Sequence, residues 1–306
     1  LRAHLKPVLL RRTRASVAQE LPRRTTDIVR VTPTDEQLQL HGAQMQVVQT
    51  ITRKAFLTEM DLLRLQKALL LARMSANSTA LVDKQLPGYS TKLERVGELL
   101  ESLCAEPARK IILFSEWTSM LDLIEPLLKR ANAAFVRLDG SVPQKQRSRL
   151  VAAFQSDAKC RAFLTTNAGS TGLNLQAADT VINLELPWNP ALLEQRISRA
   201  HRMGQKRPVQ VYLMITENTI EENLLATLSA KHELAAAVLD PDSELREVQL
   251  ASGIEELKRR LEALLGAKPE GSPDVSMQRR AEADALALAQ RKERVSEAGG
   301  QLLAAA

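Results

Sequence analysis

Gln195, Arg199 and Arg202 recur at i, i+4 and i+7, the spacing that lines side chains along one face of a helix. Leu193, Ile197 and Ala200 share that spacing on the opposite side and form an apolar stripe. The pattern predicts a helix from Pro190 to Arg202, anchored by one face and presenting an amide and two guanidiniums on the other. From Gln195 to Gln210 there are five basic residues and no acidic one. Planar, always-charged forks on a rigid element suit phosphate recognition and the neutralising of charge on a transferring phosphoryl group. A solvated basic helix face is the plainer reading of the same residues.

What precedes the helix bears on that choice. The apolar run Cys160 to Thr165 reads as a strand, and Gly169 and Gly172 of AGSTGLNL follow it. A glycine turn leaving the C-terminal end of a strand is where open α/β sheets place ligands, with backbone N–H groups free to face phosphate. Val181 to Leu184 reads as a further short strand. Asn189 is then the expected N-cap of the arginine helix, with Pro190 at its first position.

The rest of the chain alternates in the same way. Lys110–Phe114, Phe135–Leu138 and Val209–Met214 read as strands; Thr118–Arg130 and Pro143–Phe154 read as helices, and another starts near Thr219. Strands alternating with helices predict a parallel sheet with both faces covered. Right-handed crossovers then gather the loops Ser115–Trp117, Asp139–Ser141, Thr165–Gly172 and Glu185–Asn189 on one edge as a groove. Upstream, Ile28–Val31 looks like a strand, and Thr34 and Gln37 form a capping box. Asp35-Glu36 is taken as part of that box and not as a magnesium-binding pair, because Pro33 and Thr34 separate it from any buried strand. A helical pattern runs from Gln37 to about Ala76, a loop from Asn77 to Ser90, and a helix capped by Ser90 or Thr91 reaches about Cys104. Arg11-Arg12-Thr13-Arg14 is a basic cluster with no partner evident in the sequence. Beyond Asp240-Pro241, a helix over Ser243–Leu265 and a linker over Gly266–Pro273 are expected; composition leaves 276–306 open between a helix and a disordered tail.

Composition narrows the classes. The length of 306 residues fits about two domains, or one with appendages, and 44% hydrophobic with 25% charged residues is ordinary for a globular chain. No run of about 18 apolar residues is present, so no membrane span is expected. Cys104 and Cys160 are too few for a disulfide framework, and His4, His41, His201 and His232 show no zinc spacing, so no metal ligand is assigned. A net charge of +6 nudges towards an anionic partner. No GxxxxGK(S/T) occurs: Gly266 and Gly271 have the spacing, but Ser272 follows. With Leu1 rather than Met at the start, the chain is expected to be a piece of a longer one, and no signal peptide pattern is present.

TTNAGSTGLNLQAADTVINLELPWNP followed by QRISRAHRMGQKRPVQVY resembles motifs V and VI of the Snf2 family of superfamily 2 DNA translocases. KIILFSEWTSMLDLIEPL and VRLDGSVPQKQRSRLVAAF are similar to its motifs IV and IVa, and LKPVLLRRTRASVAQELPRRT and ENTIEE extend the likeness over roughly residues 1–240. The resemblance implies a RecA-like α/β lobe, with a lobe-junction and helical segment over 1–90, the lobe itself over 91–240, and a helical extension over 241–306. It also implies ATP with magnesium, whose P-loop and metal ligands belong to a first lobe, and duplex DNA as partner. Arg199 and Arg202 would be arginine fingers, with Gln195 positioning them or touching the nucleotide. Gly172, Asn174 and Glu185 would border the nucleotide; Ser115, Gly140, Thr166, Asn167, Gly169 and Trp188 would meet DNA. Two positions depart from the family pattern: Asn167 stands where many relatives carry Lys or Arg, and Glu185-Leu-Pro-Trp188 where many carry Asp-Pro-Trp-Trp. The implied location is intracellular, cytoplasmic or nucleoid in a bacterium and nuclear in a eukaryote. A non-hydrolysing nucleic-acid or protein-interaction module and an RNA helicase lobe are the alternatives; the absence of GxGxxG argues against a dinucleotide enzyme.

Overall fold

Ile111 and Leu113 face one side of a short strand, Ile112 and Phe114 the other, and all four are fully buried. A strand apolar on both faces must be covered on both, which sets the architecture. The computed structural model describes residues 21–54, 56–85, 88–167 and 173–228, together with Leu261.

Six strands form one sheet: β1 (Arg24–Val31), β2 (Ile111–Phe114), β3 (Ala134–Leu138), β4 (Cys160–Thr165), β5 (Thr180–Asn183) and β6 (Val209–Thr216). Their spatial order is β1-β6-β5-β2-β4-β3, and every pairing is parallel. One face packs against α1 (Asp35–Thr52), α2 (Glu59–Asn77), α6 (Gln144–Ser156) and α7 (Pro190–Ile197), through Val48, Ala72, Phe154 and Ile197. The other packs against α4 (Thr91–Ala105) and α5 (Thr118–Arg130), through Val96, Leu100, Met120 and Ile124. A single turn, α3 (Thr79–Val82), joins α2 to the stretch before α4, and residues 220–228 form a last helix, α8. No described helix is long and apolar enough to cross a membrane.

The expected α/β sheet is present, and several local expectations are corrected. The single helical stretch from Gln37 to Ala76 is two helices, because Thr58 and Asp61 form a second capping box that starts α2 afresh. Thr34 and Gln37 do form the first box. The strand near Ile28 is longer than expected, and its eight residues pair in register with β6. The division at residue 90 therefore does not follow the sheet, since β1 comes from the leading segment. The arginine helix stops at Ile197, five residues before Arg202. The Arg11–Arg14 cluster, the Ala168–Gly172 turn and, apart from Leu261, the segments expected beyond 228 lie outside the described residues.

Candidate functional site at the C-terminal strand edge

Because all six strands run parallel, every strand's C-terminal end lies on one edge. A cavity of about 770 Å³ lined by Lys129, Phe135, Lys159 and Arg161 sits at the opposite, N-terminal edge, away from the residues the sequence singles out.

Glu185 leaves β5 and turns back into the protein, where it is completely buried. It accepts the Ser115 hydroxyl at 2.8 Å and the Glu116 N–H at 3.0 Å, while Ser115 Oγ accepts the Trp117 N–H at 3.1 Å. Burial raises the Glu185 carboxyl to about pH 7, against the opposing pull of Lys92, the Ser115 and Glu116 hydrogen bonds, and Arg196. Ser115 is fully buried with its hydroxyl committed to Glu185. Through these contacts Glu185 ties the loop after β2 to the loop after β5.

Arg196 is the other half of that tie. It is fully buried on α7, donates from Nε and Nη2 to Asn167 Oδ1 at 3.2 and 2.6 Å, and from Nη1 to the Glu185 carbonyl at 3.0 Å. Its guanidinium lies 5.6 Å from the Phe114 ring centroid and 3.6 Å from Glu116. Burial, first, lowers its affinity for a proton, and Glu185 and Glu116 oppose that. A single Asn at 167 thus holds a buried arginine by its carbonyl oxygen. Sequence reasoning passed over Arg196, although its place three residues after Leu193 and four before Ala200 puts it on the buried face of α7.

Of the remaining sequence candidates, Asn189 caps α7 by accepting the Ala191 N–H at 2.9 Å, with Pro190 first in the helix. Gln195 is exposed on the last turn of α7. Arg199 lies past the helix end and donates from Nε to the Gln195 carbonyl and from Nη1 to the Leu173 carbonyl, both at 3.2 Å. Arg202 is exposed in the following turn. Gln195, Arg199 and Arg202 therefore do not form one helical row; a carbonyl-tethered arginine and a free-ended one stand beyond a short helix. Burial and then the like charge of Arg202 lower the Arg199 proton affinity. Asn174 is exposed, and its carbonyl accepts from Gln155 at 2.6 Å. Thr166 is buried.

At β3, Asp139 accepts the Ser141 hydroxyl and N–H at 2.6 and 2.9 Å and pairs with Arg137 at 2.9 Å, which together hold its carboxyl below the usual range despite burial, the Ser141 hydroxyl foremost. Gly140 is exposed at the crest of this turn, and a methyl added there would meet nothing within 4 Å. Gly169 and Gly172 lie outside the described residues.

Between and beyond Arg199 and Arg202, the RAHRMGQ segment is held to the rest of the lobe. His201 Nε2 lies 2.8 Å from the Pro22 carbonyl, and Gln205 Nε2 donates to the carbonyls of Gln176, Ala178 and Ala200. Gly204 has φ of 89°, a conformation that favours glycine.

Residues 91–204 match the family model described as the helicase conserved C-terminal domain. The chain is 33% identical over 251 residues to the SWI/SNF-related matrix-associated actin-dependent regulator of chromatin subfamily A member 1 of Mus musculus, covering 78% of this chain and 24% of that protein. It belongs to the Snf2 family. It is 42% identical over 159 residues to DNA repair protein RAD5 of Mycosarcoma maydis, covering 50% of this chain and 12% of that one. The chain thus spans a quarter or less of the length of these curated relatives. The SWI2/SNF2 ATPase core of Sulfolobus solfataricus, solved in complex with dsDNA, is 26% identical with a TM-score of 0.61, over 85% of this chain and 55% of that one. The separate C-terminal domain of the same Sulfolobus ATPase matches the RecA-like fold at TM-score 0.59 and 21% identity, over 81% of this chain and 99% of that one.

Proposed function

We propose that this Snf2 lobe is the second half of an ATP-dependent duplex-DNA translocase motor, and that Arg199 and Arg202 are its arginine fingers. ATP would supply the γ-phosphoryl group, with the P-loop and magnesium ligands on a first RecA-like lobe. The observation that carries this reading is the pair of guanidiniums past the end of α7, Arg199 tethered to the Gln195 and Leu173 carbonyls and Arg202 exposed, a cationic pair suited to charge on a phosphoryl group. Arg199 would be held ready by Leu173 and Gln195, and Arg202 would be free to reach across.

DNA would meet the same edge through phosphates rather than bases. Gly140, whose surroundings are open, Trp188, which is 39% exposed, and the turn beginning at Thr166 and Asn167 and including Gly169 are the contacts this reading retains. Gly172 and Asn174 would border the nucleotide. The lack of a P-loop sequence leads us to expect no ATP turnover from this chain alone.

The test supplies a first lobe in trans or by fusion and measures DNA-stimulated ATPase activity alongside duplex binding. We expect Arg199→Ala and Arg202→Ala each to lower turnover by about 10³-fold or more, with DNA affinity within about twofold of the parent. Substitutions that weaken DNA binding and spare turnover would instead make these arginines a phosphate clamp on a non-hydrolysing module. Robust turnover by the chain alone would overturn the division of labour between two lobes.

A further inference from the structure

The chain has two tryptophans, Trp117 and Trp188, and both lie against one side chain. That side chain is Arg73, from the far helix α2. Its guanidinium carbon is 5.2 Å from the Trp117 ring centroid and 5.0 Å from that of Trp188. Nη1 donates to Glu116 Oε2 at 2.7 Å and Nη2 to the Leu186 carbonyl at 2.6 Å. Arg73 is 3% exposed, whereas Trp188 is 39% exposed. One buried arginine therefore grips the loop after β2 through Glu116 and Trp117, and the loop after β5 through Leu186 and Trp188.

We propose that Arg73 is the positioning residue for the DNA-facing edge: it fixes the ring of Trp188 so that its outer surface lies against a strand of duplex DNA. The inference rests on the reading of this edge as a DNA-contacting surface. Only arginine combines the necessary features. Its planar fork aims two N–H groups at two acceptors at once, and its flat faces pack on aromatic rings. A lysine at 73 would keep the charge but make one of the two polar contacts at a time and would lose the flat stack. The arrangement also links the α1–α2 hairpin to the edge, because α2 cannot shift without moving Arg73 between the two loops.

The experiment uses fluorescence of the whole chain, since its only tryptophans are the two in question. In a Trp117→Phe background, where Trp188 is the sole reporter, we expect Arg73→Lys to raise acrylamide quenching of Trp188 about twofold. The same substitution in the native background should weaken duplex-DNA binding about three- to tenfold. A purely packing role would weaken binding whether or not Trp188 is present. The binding loss caused by Arg73→Lys should therefore vanish in a Trp188→Ala background. Glu116→Gln, which loosens the same arginine from the other side, should reproduce the quenching change in a chain whose circular dichroism and melting temperature match the parent.

Unchanged Trp188 quenching in both variants, or an equal binding loss with and without Trp188, overturns the proposal while leaving DNA binding by the edge intact. If the parent chain binds no duplex DNA, the reading of the edge fails, and the quenching arm still decides whether Arg73 sets the tryptophan. An Arg73→Lys chain that melts far below the parent transfers the decision to Glu116→Gln, where unchanged quenching overturns the proposal.

Discussion

Glu185 and His41 are both buried titratable groups, and their shifts give the stability of this lobe a defined pH dependence. Glu185 has its folded value raised to about 7 from an ordinary 4.5 by burial. Between those values the unfolded chain ionises the carboxyl while the folded chain keeps it protonated, so stability falls as pH rises from about 4.5 to 7. His41 is 7% exposed, and its Nε2 accepts the Ile220 N–H at 2.9 Å. Burial lowers its value to about 4 from 6.5, so the unfolded chain binds the proton first and stability falls as pH drops from 6.5 to 4. The two slopes oppose each other between about 4.5 and 6.5. In urea unfolding, Glu185→Gln should remove the loss on the neutral side, which amounts to about 3 kcal/mol at most. His41→Gln should flatten the acid side. A parent and Glu185→Gln chain with parallel stability profiles from pH 5 to 8 would show that Ser115 and the Glu116 N–H hold the carboxylate ionised instead.

At the scale of elements, the segment after α7 shows what a sequence pattern can and cannot say. Asn189 and Pro190 announce the start of α7 by local chemistry, and the start is where they place it. Its end at Ile197 has no such local mark, since RISRAHR contains no Gly or Pro before Gly204. Beyond that end the chain is held by contacts far away in sequence: His201 with the Pro22 carbonyl, and Gln205 with the carbonyls of Gln176 and Ala178. For the same reason β1 was seen only in part. Its Thr25, Thr26 and Asp27 are exposed and polar, and pairing with β6 makes them a strand. The other five strands and the helices between them are legible because each strand is a short apolar run bounded by caps and turns. Gly204 gives the prediction at this scale. With φ of 89° and Gln176 Nε2 3.4 Å from an added methyl, Gly204→Ala should cost about 1–2 kcal/mol by thermal or urea unfolding. A neutral Gly204→Ala would mean that the turn relaxes to an ordinary backbone conformation without disturbing Gln205.

Across the whole molecule, the charges that matter for stability join elements that are distant in the chain, which is why no window of sequence revealed them. Lys92 on α4 is fully buried and donates to both oxygens of Glu221 on α8 at 2.8 Å, to Asn77 Oδ1 at 2.7 Å and to the Leu184 carbonyl at 2.9 Å. Glu221 in turn accepts the Thr216 N–H at the end of β6 at 2.8 Å. One ammonium thus ties α2, α4, the residue after β5 and α8 together. Taking two charges out of water is costly, so the pair's net contribution is small beside the cost of breaking it from one side. Lys92→Met leaves Glu221 buried without its cation and should destabilise the chain by about 3–5 kcal/mol, with Glu221→Leu comparable because Lys92 is then unpaired. The double variant Lys92→Met/Glu221→Leu removes both charges and should lose about 2 kcal/mol less than the sum of the two single losses. It should not regain the parent stability, because Asn77 Oδ1, the Leu184 carbonyl and the Thr216 N–H each lose a partner at about 1–3 kcal/mol apiece. Denaturant unfolding of the four chains measures the coupling directly. Additive losses would mean that Lys92 is held by Asn77 and Leu184 rather than by its ion pair.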